Sequence, residues 1–419
     1  MLKFDKQETL GRTTVTALFD AGTFVEMGAF VRRRGDDQPY DAVITGYGSI
    51  GGKLAFAFVQ DSDRTAGALD EVGADKIQKL YEQAVRVGAP VIGVFDSAGA
   101  VVYDGASALS AYGRVMSLVS AASGIIPQIA YISGPCTGMA SAITAMFDFT
   151  VADGDRVTDL IALKAKDGPT AIRALVDLLP RNNKDVNAID PVDDIGRPVS
   201  LSGGVATLAD HAAITPVYEG IGKELTAAFA RMGGVTVGLV SLSDKLTVAG
   251  ARKAAHFVSF CDSFSIPVVT LVDSEGTDND EPGFHLAYGK LAKAYATATT
   301  AKITAVTGKA YGAAFTLMGS HALGADLALA LEGSVISTLA PETAVAFAMN
   351  DQITADKPRA EVEAEWRETY ASPLAAAESG DIDDVIPEIE LRARIISALY
   401  MLAEKADGTP DRKHGVPTL

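Results

Sequence analysis

The sequence predicts an α/β protein made of two homologous halves. Three observations carry that expectation: a set of residues recurs in the same order and spacing, each copy alternates strand-like and helix-like segments, and the strand-like segments are continuous apolar runs. In the first copy Lys76 is followed by Pro90, by Asp96-Ser97 at the end of an apolar run, and by Gly134 and Gly138. In the second copy the order is Lys253, Pro267, Asp273-Ser274, Gly308 and Gly312. Lysine to proline is 14 residues in both copies, proline to aspartate 6, and glycine to glycine 4. A chain of 419 residues has room for two such units.

Residues 42–60 read as a hairpin turning at Gly51-Gly52. From Asp70 to Val87, apolar residues fall at helical spacing (Val72, Ile77, Leu80, Tyr81, Ala84), and the strand PVIGVFDS follows over 90–97. The second copy runs RMGGVTVGLVS over 231–241, a helix from Ala249 to Ser265, and the strand PVVTLVDS over 267–274. Such β-branched runs belong to strands covered on both faces, which favours a layered α/β arrangement over a sandwich. Residues 180–204 are rich in Asn, Asp, Pro and Gly and lack hydrophobic periodicity. The expected division is a first domain over 1–187, a linker over 188–212 and a second domain over 213–419, with the helix-prone segments 356–369 and 388–405 capping the second.

Net charge is −17, which argues against nucleic acid or an anionic bilayer as the main partner, since either needs a basic face. The stretch from Val115 to Phe147 carries no Asp, Glu, Lys or Arg and is long enough to span a bilayer. Gly124, Pro127, Gln128, Gly134, Pro135 and Gly138 instead divide it into a helix, a strand (126–132) and a Gly-rich turn. The N-terminus lacks the continuous apolar core of a signal peptide, and Cys136 and Cys261 show no disulfide or zinc spacing, so a cytoplasmic protein is expected. His211, His256, His285, His321 and His414 show no metal-ligand spacing, and no metal is expected.

Several residues carry two readings. Asp96 and Asp273 at strand ends are either catalytic or order the next loop or helix. Lys76 and Lys253 either bind phosphate or lie on a solvated helix face, and Arg32-Arg33-Arg34 either hold nucleotide phosphates or form a solvated charge run. Gly99, Gly138 and Gly312 are turn formers whose paired occurrence points to backbone N–H groups facing a ligand. Ser97 lacks the Gly-x-Ser-x-Gly setting of a hydrolase nucleophile.

The stretches PVIGVFDSAGA (90–100), SGIIPQIAYISGPCTGMA (123–140), KAAHFVSFCDSFSIPVVTLVDSEGT (253–277) and AKITAVTGKAYGAAFTLMGS (301–320) resemble the carboxyltransferase subunit of biotin-dependent acyl-CoA carboxylases and decarboxylases. The segments 372–399 and RKHGVPTL (412–419) are similar to the same family's ending. The resemblance implies two crotonase-like domains of β-β-α units in a spiral. It also implies transfer of a carboxyl group between carboxybiotin and the α-carbon of a short acyl-CoA. Both sides of that transfer develop an oxyanion, so the chemistry asks for oriented backbone N–H donors rather than a histidine base.

By this resemblance the first oxyanion site falls at Ala98-Gly99 with Gly138-Met139, and the second, biotin-facing one at Gly312-Ala313 with Gly276. The family usually has Gly-Gly at the three doublets, and an Arg where this chain has Val101. Met139 would fill space that a thioester uses. The stretch after Asp148 is shorter than the family's, and its Thr-Gly-Pro and following Gly-Gly-Ala segments are not found. The chain has no biotinylation tetrapeptide and no ATP loop. The resemblance therefore implies a separate biotinyl carrier protein, a biotin carboxylase or membrane decarboxylase subunit, and a homo-oligomer joined through segments 105–125 and 286–300. Two other readings stand beside it: a non-catalytic companion subunit, and a hydratase or isomerase on the same fold, which needs a carboxylate pair beside the first turn.

Overall fold

The structure, a computed structural model, describes residues 8–33, 40–153, 163–185 and 193–406. The chain divides into two compact units, Met1–Val186 and Asn187–Leu419. In the first, one sheet runs in the order β1 (Val25–Met27), β2 (Val43–Ile50), β3 (Lys53–Gln60), β4 (Val91–Ser97), β5 (Gln128–Cys136), β6 (Phe149–Asp153) and β7 (Leu163–Ala165). β1, β2 and β3 are antiparallel and everything from β3 to β7 is parallel.

The second unit repeats this plan with β8 (Ile214–Val217), β9 (Leu225–Met232), β10 (Val235–Leu242), β11 (Val268–Ser274), β12 (Lys302–Tyr311) and β13 (Leu327–Leu331). A short β14 (Val335–Ser337) pairs with the end of β12, and β15 (Asp384–Ile386) closes the edge beside β13. The two-unit α/β architecture expected from the spacings is the one observed.

The matched residues make matched structures. Helix Glu71–Val87 starts at Asp70, whose carboxylate accepts the Gly73 N–H at 2.8 Å, and helix Val248–Ser263 starts at Thr247, whose hydroxyl accepts the Gly250 N–H at 3.1 Å. Each such cap contributes about 1 kcal/mol. The first helix buries Ile77, Leu80, Tyr81 and Ala84 in a core shared with Val43, Phe58 and Phe95. Among the residues of β4 and β11, only Asp96 and Asp273 are not buried.

Lys76 and Lys253 serve neither expected purpose. Both are buried, and their ammonium groups donate to main-chain carbonyls: Lys76 to Val43, Lys253 to Ile221 at 2.8 Å and Gly222 at 3.2 Å. A lysine stem packs like an apolar side chain while its head ties the helix to the hairpin strand at Val43 in the first unit and to the loop before β9 in the second. Burial pushes both ammonium groups down, that of Lys253 to about 8.

A second matched device holds each hairpin. The Asp20 carboxylate accepts the N–H groups of Gly51 and Gly52, both at 3.1 Å, and pairs with Arg173 at 2.6 Å. Asp210 accepts those of Gly233 and Gly234, at 2.9 and 2.8 Å, and pairs with Arg392 at 2.6 Å. Arg392 is fully buried and also donates to the carbonyls of Asp194, Ile195 and Leu208. The described part of the expected linker, 193–212, is thus tied into the second unit, with short 3-10 turns at Leu201–Gly203, Val205–Leu208 and Asp210–Ala212; 188–192 lie outside the described residues.

The charge-free stretch is a helix (Ala106–Ala122), β5 and a short helix (Met139–Thr144). Among the described residues no helix is long and apolar enough to cross a membrane. The charged segment near residue 360 is a helix, Arg359–Tyr370, and the amphipathic one is Leu391–Met401.

Candidate active site

At the end of β4 the parallel pairing with β5 slips: Phe95 faces Ile132, but Ser97 faces Cys136, so β5 spends two extra residues on the same advance. The second unit slips identically, Val272 facing Val306 and Ser274 facing Ala310. Gly134 and Gly308 sit in these bulges for a steric reason. A Cβ on Gly134 would come within 1.9 Å of an Asp96 carboxylate oxygen, and one on Gly308 within 2.3 Å of that of Asp273. The aspartates in turn order the bulges: Asp96 accepts the Ser62 hydroxyl at 2.5 Å, and Asp273 accepts the Lys309 N–H at 2.8 Å. Their role is structural at these contacts, the ordering alternative of the two readings.

After each slip the chain makes the same turn. Gly99 has φ +115° and Gly276 φ +125°, a region open to glycine. The buried Ser97 hydroxyl accepts the Gly99 N–H at 3.1 Å, and that of Ser274 accepts the Gly276 N–H at 3.2 Å. Each turn is stitched to the loop before the preceding helix: Leu69 N–H to Gly99 O and Leu246 N–H to Gly276 O, both at 3.0 Å. Facing these turns, Gly138 (φ +58°, ψ −127°) and Gly312 (φ +57°, ψ −135°) end the long strands and start short helices at Met139 and Ala313. Thr137 ties the two walls of the first site, its hydroxyl donating to Ala98 O at 3.1 Å.

The hydrogen bonds sort the expected donors. The Ala98 N–H is spent on Ala66 O at 2.9 Å, those of Gly99 and Gly276 on the serines, and that of Gly312 on Ser337 O at 2.9 Å. The N–H groups of Gly138, Met139 and Ala313 have no acceptor among the described residues. They lie at the start of a helical turn, where N–H groups point outward unpaired. The resemblance pointed to these turns, but which of their amides remain free depends on the serines and on β14.

Around the second turn lies a pocket of about 830 Å³. Gly276, Gly312 and Ala313 line it together with Tyr311, Lys245 and the ion pairs Lys309–Glu275 (2.6 Å) and Arg367–Glu342 (2.8 Å). At the first turn Met139 is 39% exposed, while the position of a Cβ on Gly138 is open. Arg33 pairs with Asp104 at 2.7 Å, and Arg34 lies outside the described residues. His321 is held between Asp383 and Ala325 O.

Two units of mixed sheet carry the same turns in the same order, and comparison with known proteins identifies the class. The carboxyl transferase domain family matches residues 3–163 and 156–417. The chain is 33% identical to the carboxyltransferase subunit of propionyl-CoA carboxylase from Haloferax mediterranei, over 98% of this chain and 93% of that one. It is 32% identical to methylmalonyl-CoA decarboxylase subunit alpha from Propionigenium modestum, over 99% and 94%. The transcarboxylase 12S structure, a hexamer assembly with hydrolysed methylmalonyl-coenzyme A bound, superposes with a TM-score of 0.90 at 30% identity, covering 98% of this chain and 92% of that one.

The chain belongs to the carboxyl transferase family. Its fold is the doubled crotonase-like one, and its class is that of the acyl-CoA carboxyltransferase subunits of biotin-dependent complexes.

Proposed function

We propose that this chain moves a carboxyl group between biotin held on a separate carrier protein and the α-carbon of a short acyl-CoA. The observation that carries the assignment is the pair of matched turns whose helix-start amides are free. In the first unit Gly138 and Met139 aim N–H groups at the acyl oxygen. In the second, Ala313 does the same for the biotin ureido oxygen inside the pocket, with Gly276 and Gly312 shaping its wall. The unpaired Ala313 amide at this pocket suits a ligand that presents an acceptor oxygen. Biotin supplies the carboxyl group as a carbamate on its ring nitrogen. The protein's own contribution is orientation and charge stabilisation, worth roughly 3 kcal/mol per well-placed donor.

A hydratase or isomerase is disfavoured because Asp96, on the strand that leads into the first turn, is engaged with Ser62 and packed against Gly134. One observation favours a companion subunit: Met139 stands where the resemblance expects glycine. Purified protein should move a carboxyl group between malonyl- or methylmalonyl-CoA and free biotin or a biotinyl carrier without ATP. No transfer in the native chain, with transfer gained in Met139→Gly, would assign it as a companion.

A biotin carboxylase or a membrane decarboxylase subunit completes the proposed complex. The unpaired thiols Cys136 and Cys261 suit a cytoplasmic setting. We also propose a homo-oligomer, as in the transcarboxylase 12S hexamer. Light scattering should give a mass well above 43.5 kDa at micromolar concentration, and a monomer mass would contradict it.

A further inference from the structure

Behind the first turn lies a buried polar cluster that the chemistry above does not use. Gln60, the last residue of β3, donates from its amide to the Gly67 carbonyl and to the Ser97 hydroxyl, both at 3.2 Å. Ser97 holds the Gly99 N–H, and the carbonyl of Ala98 receives Thr137, the residue before Gly138. Gln60 thus connects two strained pieces of backbone to the free amides. One is the left-handed run Thr65 (φ +45°), Ala66 (φ +51°) and Gly67 (φ +67°); the other is the Gly99 turn. Left-handed non-glycine residues cost about 1–2 kcal/mol each and persist only where their surroundings hold them.

The cluster is also incomplete. Gln60 and Tyr112 are 2% and 1% exposed, and among the described residues neither Gln60 Oε1 nor the Tyr112 hydroxyl meets strict hydrogen-bond geometry with a partner. The phenol lies against Ser97 and Gln60. The second unit shows what the same place looks like without this device. The eighth residue of β10, matching Gln60 at the eighth of β3, is Leu242. There the hydroxyl of Tyr288, on the helix after the turn, is satisfied by Leu246 O at 2.7 Å and Asp278 O at 2.8 Å.

We propose that Gln60, reinforced by Tyr112, is a positioning residue of the first site: through Ser97, Ala98 and Thr137 it sets the direction of the Gly138 and Met139 amides. This rests on the assignment of those amides to the acyl oxygen. Tyr112, on the helix Ala106–Ala122, brings its phenol beside both Ser97 and Gln60. The second site, with Leu242, needs no such support because β14 fixes Gly312 directly.

Gln60→Leu installs the second unit's residue and Tyr112→Phe removes only the hydroxyl. Gln60→Leu should lower kcat for transfer roughly 10- to 100-fold, the scale set by misplacing reacting groups by about 1 Å. The acyl-CoA KM should stay within about threefold, since ground-state binding is not what the cluster controls. Tyr112→Phe should lower kcat by a smaller factor in the same pattern. Gln60→Glu should be active at low pH and fade as its carboxyl ionises and loses its donor, a pH limb that the native chain lacks.

Hydrogen–deuterium exchange gives a readout independent of turnover: in Gln60→Leu, amides of 97–101 should exchange faster while those of 274–278 stay as in the native chain. A folded Gln60→Leu with native kcat and native exchange at 97–101 overturns the proposal. If Gln60→Leu does not fold, Tyr112→Phe and the pH limb of Gln60→Glu decide, and native behaviour in both overturns it. Absence of transfer in the native chain defeats the functional assignment alone, and the exchange comparison still tests the cluster.

Discussion

The two turns, one in each unit, use the same parts and stabilise them differently. Both have the bulge, the Asp–Gly contact, the Ser–Gly hydrogen bond and a glycine opening a short helix. In the second unit the opening glycine is fixed by a backbone bond to β14, and a well-defined pocket surrounds it. In the first the corresponding amide is free, and support comes from side chains beneath the turn. A duplicated scaffold therefore keeps the backbone shape of its turns while the means of holding them diverges.

The comparison is sharpened most by deleting single amides. Met139→Pro and Ala313→Pro each remove one free N–H at the first helical position, where proline is well tolerated. The preceding glycines, near φ +58° and ψ −130°, sit in the mirror image of the extended region that precedes proline comfortably. Each variant should lose about 10²- to 10³-fold in kcat, with a melting temperature close to the native one. Retained transfer in either variant would remove that half of the comparison.

Filling the bulge glycines is the next largest test. Gly134→Ala and Gly308→Ala force a methyl against an aspartate carboxylate, and overpacking of this kind costs about 1–3 kcal/mol. The closer contact at Gly134 predicts the larger drop in urea midpoint. Equal stability in both variants and the native chain would show that the aspartates move aside freely.

The smallest expected effect concerns the strand starts. Asp148 accepts the Gln128 N–H at 2.8 Å, and Asp326 accepts that of Lys302 at 2.8 Å. Asp326 also pairs with Lys405 at 2.9 Å, whereas enclosure pushes the Asp148 carboxyl up to about 7, the Gln128 N–H opposing the rise. A carboxyl whose pKa is higher folded than unfolded binds its proton more tightly in the native state. Its contribution is favourable at low pH and is lost as pH rises from about 4 through about 7. Asp148→Asn should flatten that part of the stability–pH curve, read by denaturant midpoints across the range.

Much of this was legible because it is local. A strand that ends in a bulge needs glycine opposite its aspartate, so Asp96/Gly134 and Asp273/Gly308 keep their order and the glycine-to-glycine interval. What could not be read depends on distant partners. The Asp20 and Asp210 clasps meet their Gly-Gly turns at different separations, 31 and 23 residues, so no common interval marks them. Lys76 and Lys253 look like surface or phosphate lysines until the hairpin carbonyls above them are in place. The loss of Ala98, Gly99 and Gly312 as free donors likewise requires Ala66, Ser97 and Ser337 in three dimensions.

Arg392 gives the chain a direction in time. Its guanidinium binds Asp194 and Asp210, residues made 198 and 182 positions earlier. Across its described residues the first unit is complete well before the chain is half synthesised, and can fold as it leaves the ribosome. The second cannot seal its own beginning until the helix Leu391–Met401 emerges. During that interval the 193–212 segment and the Gly233-Gly234 hairpin wait unclasped. Nascent chains stalled before residue 392 should therefore expose this segment to protease while the first unit already resists.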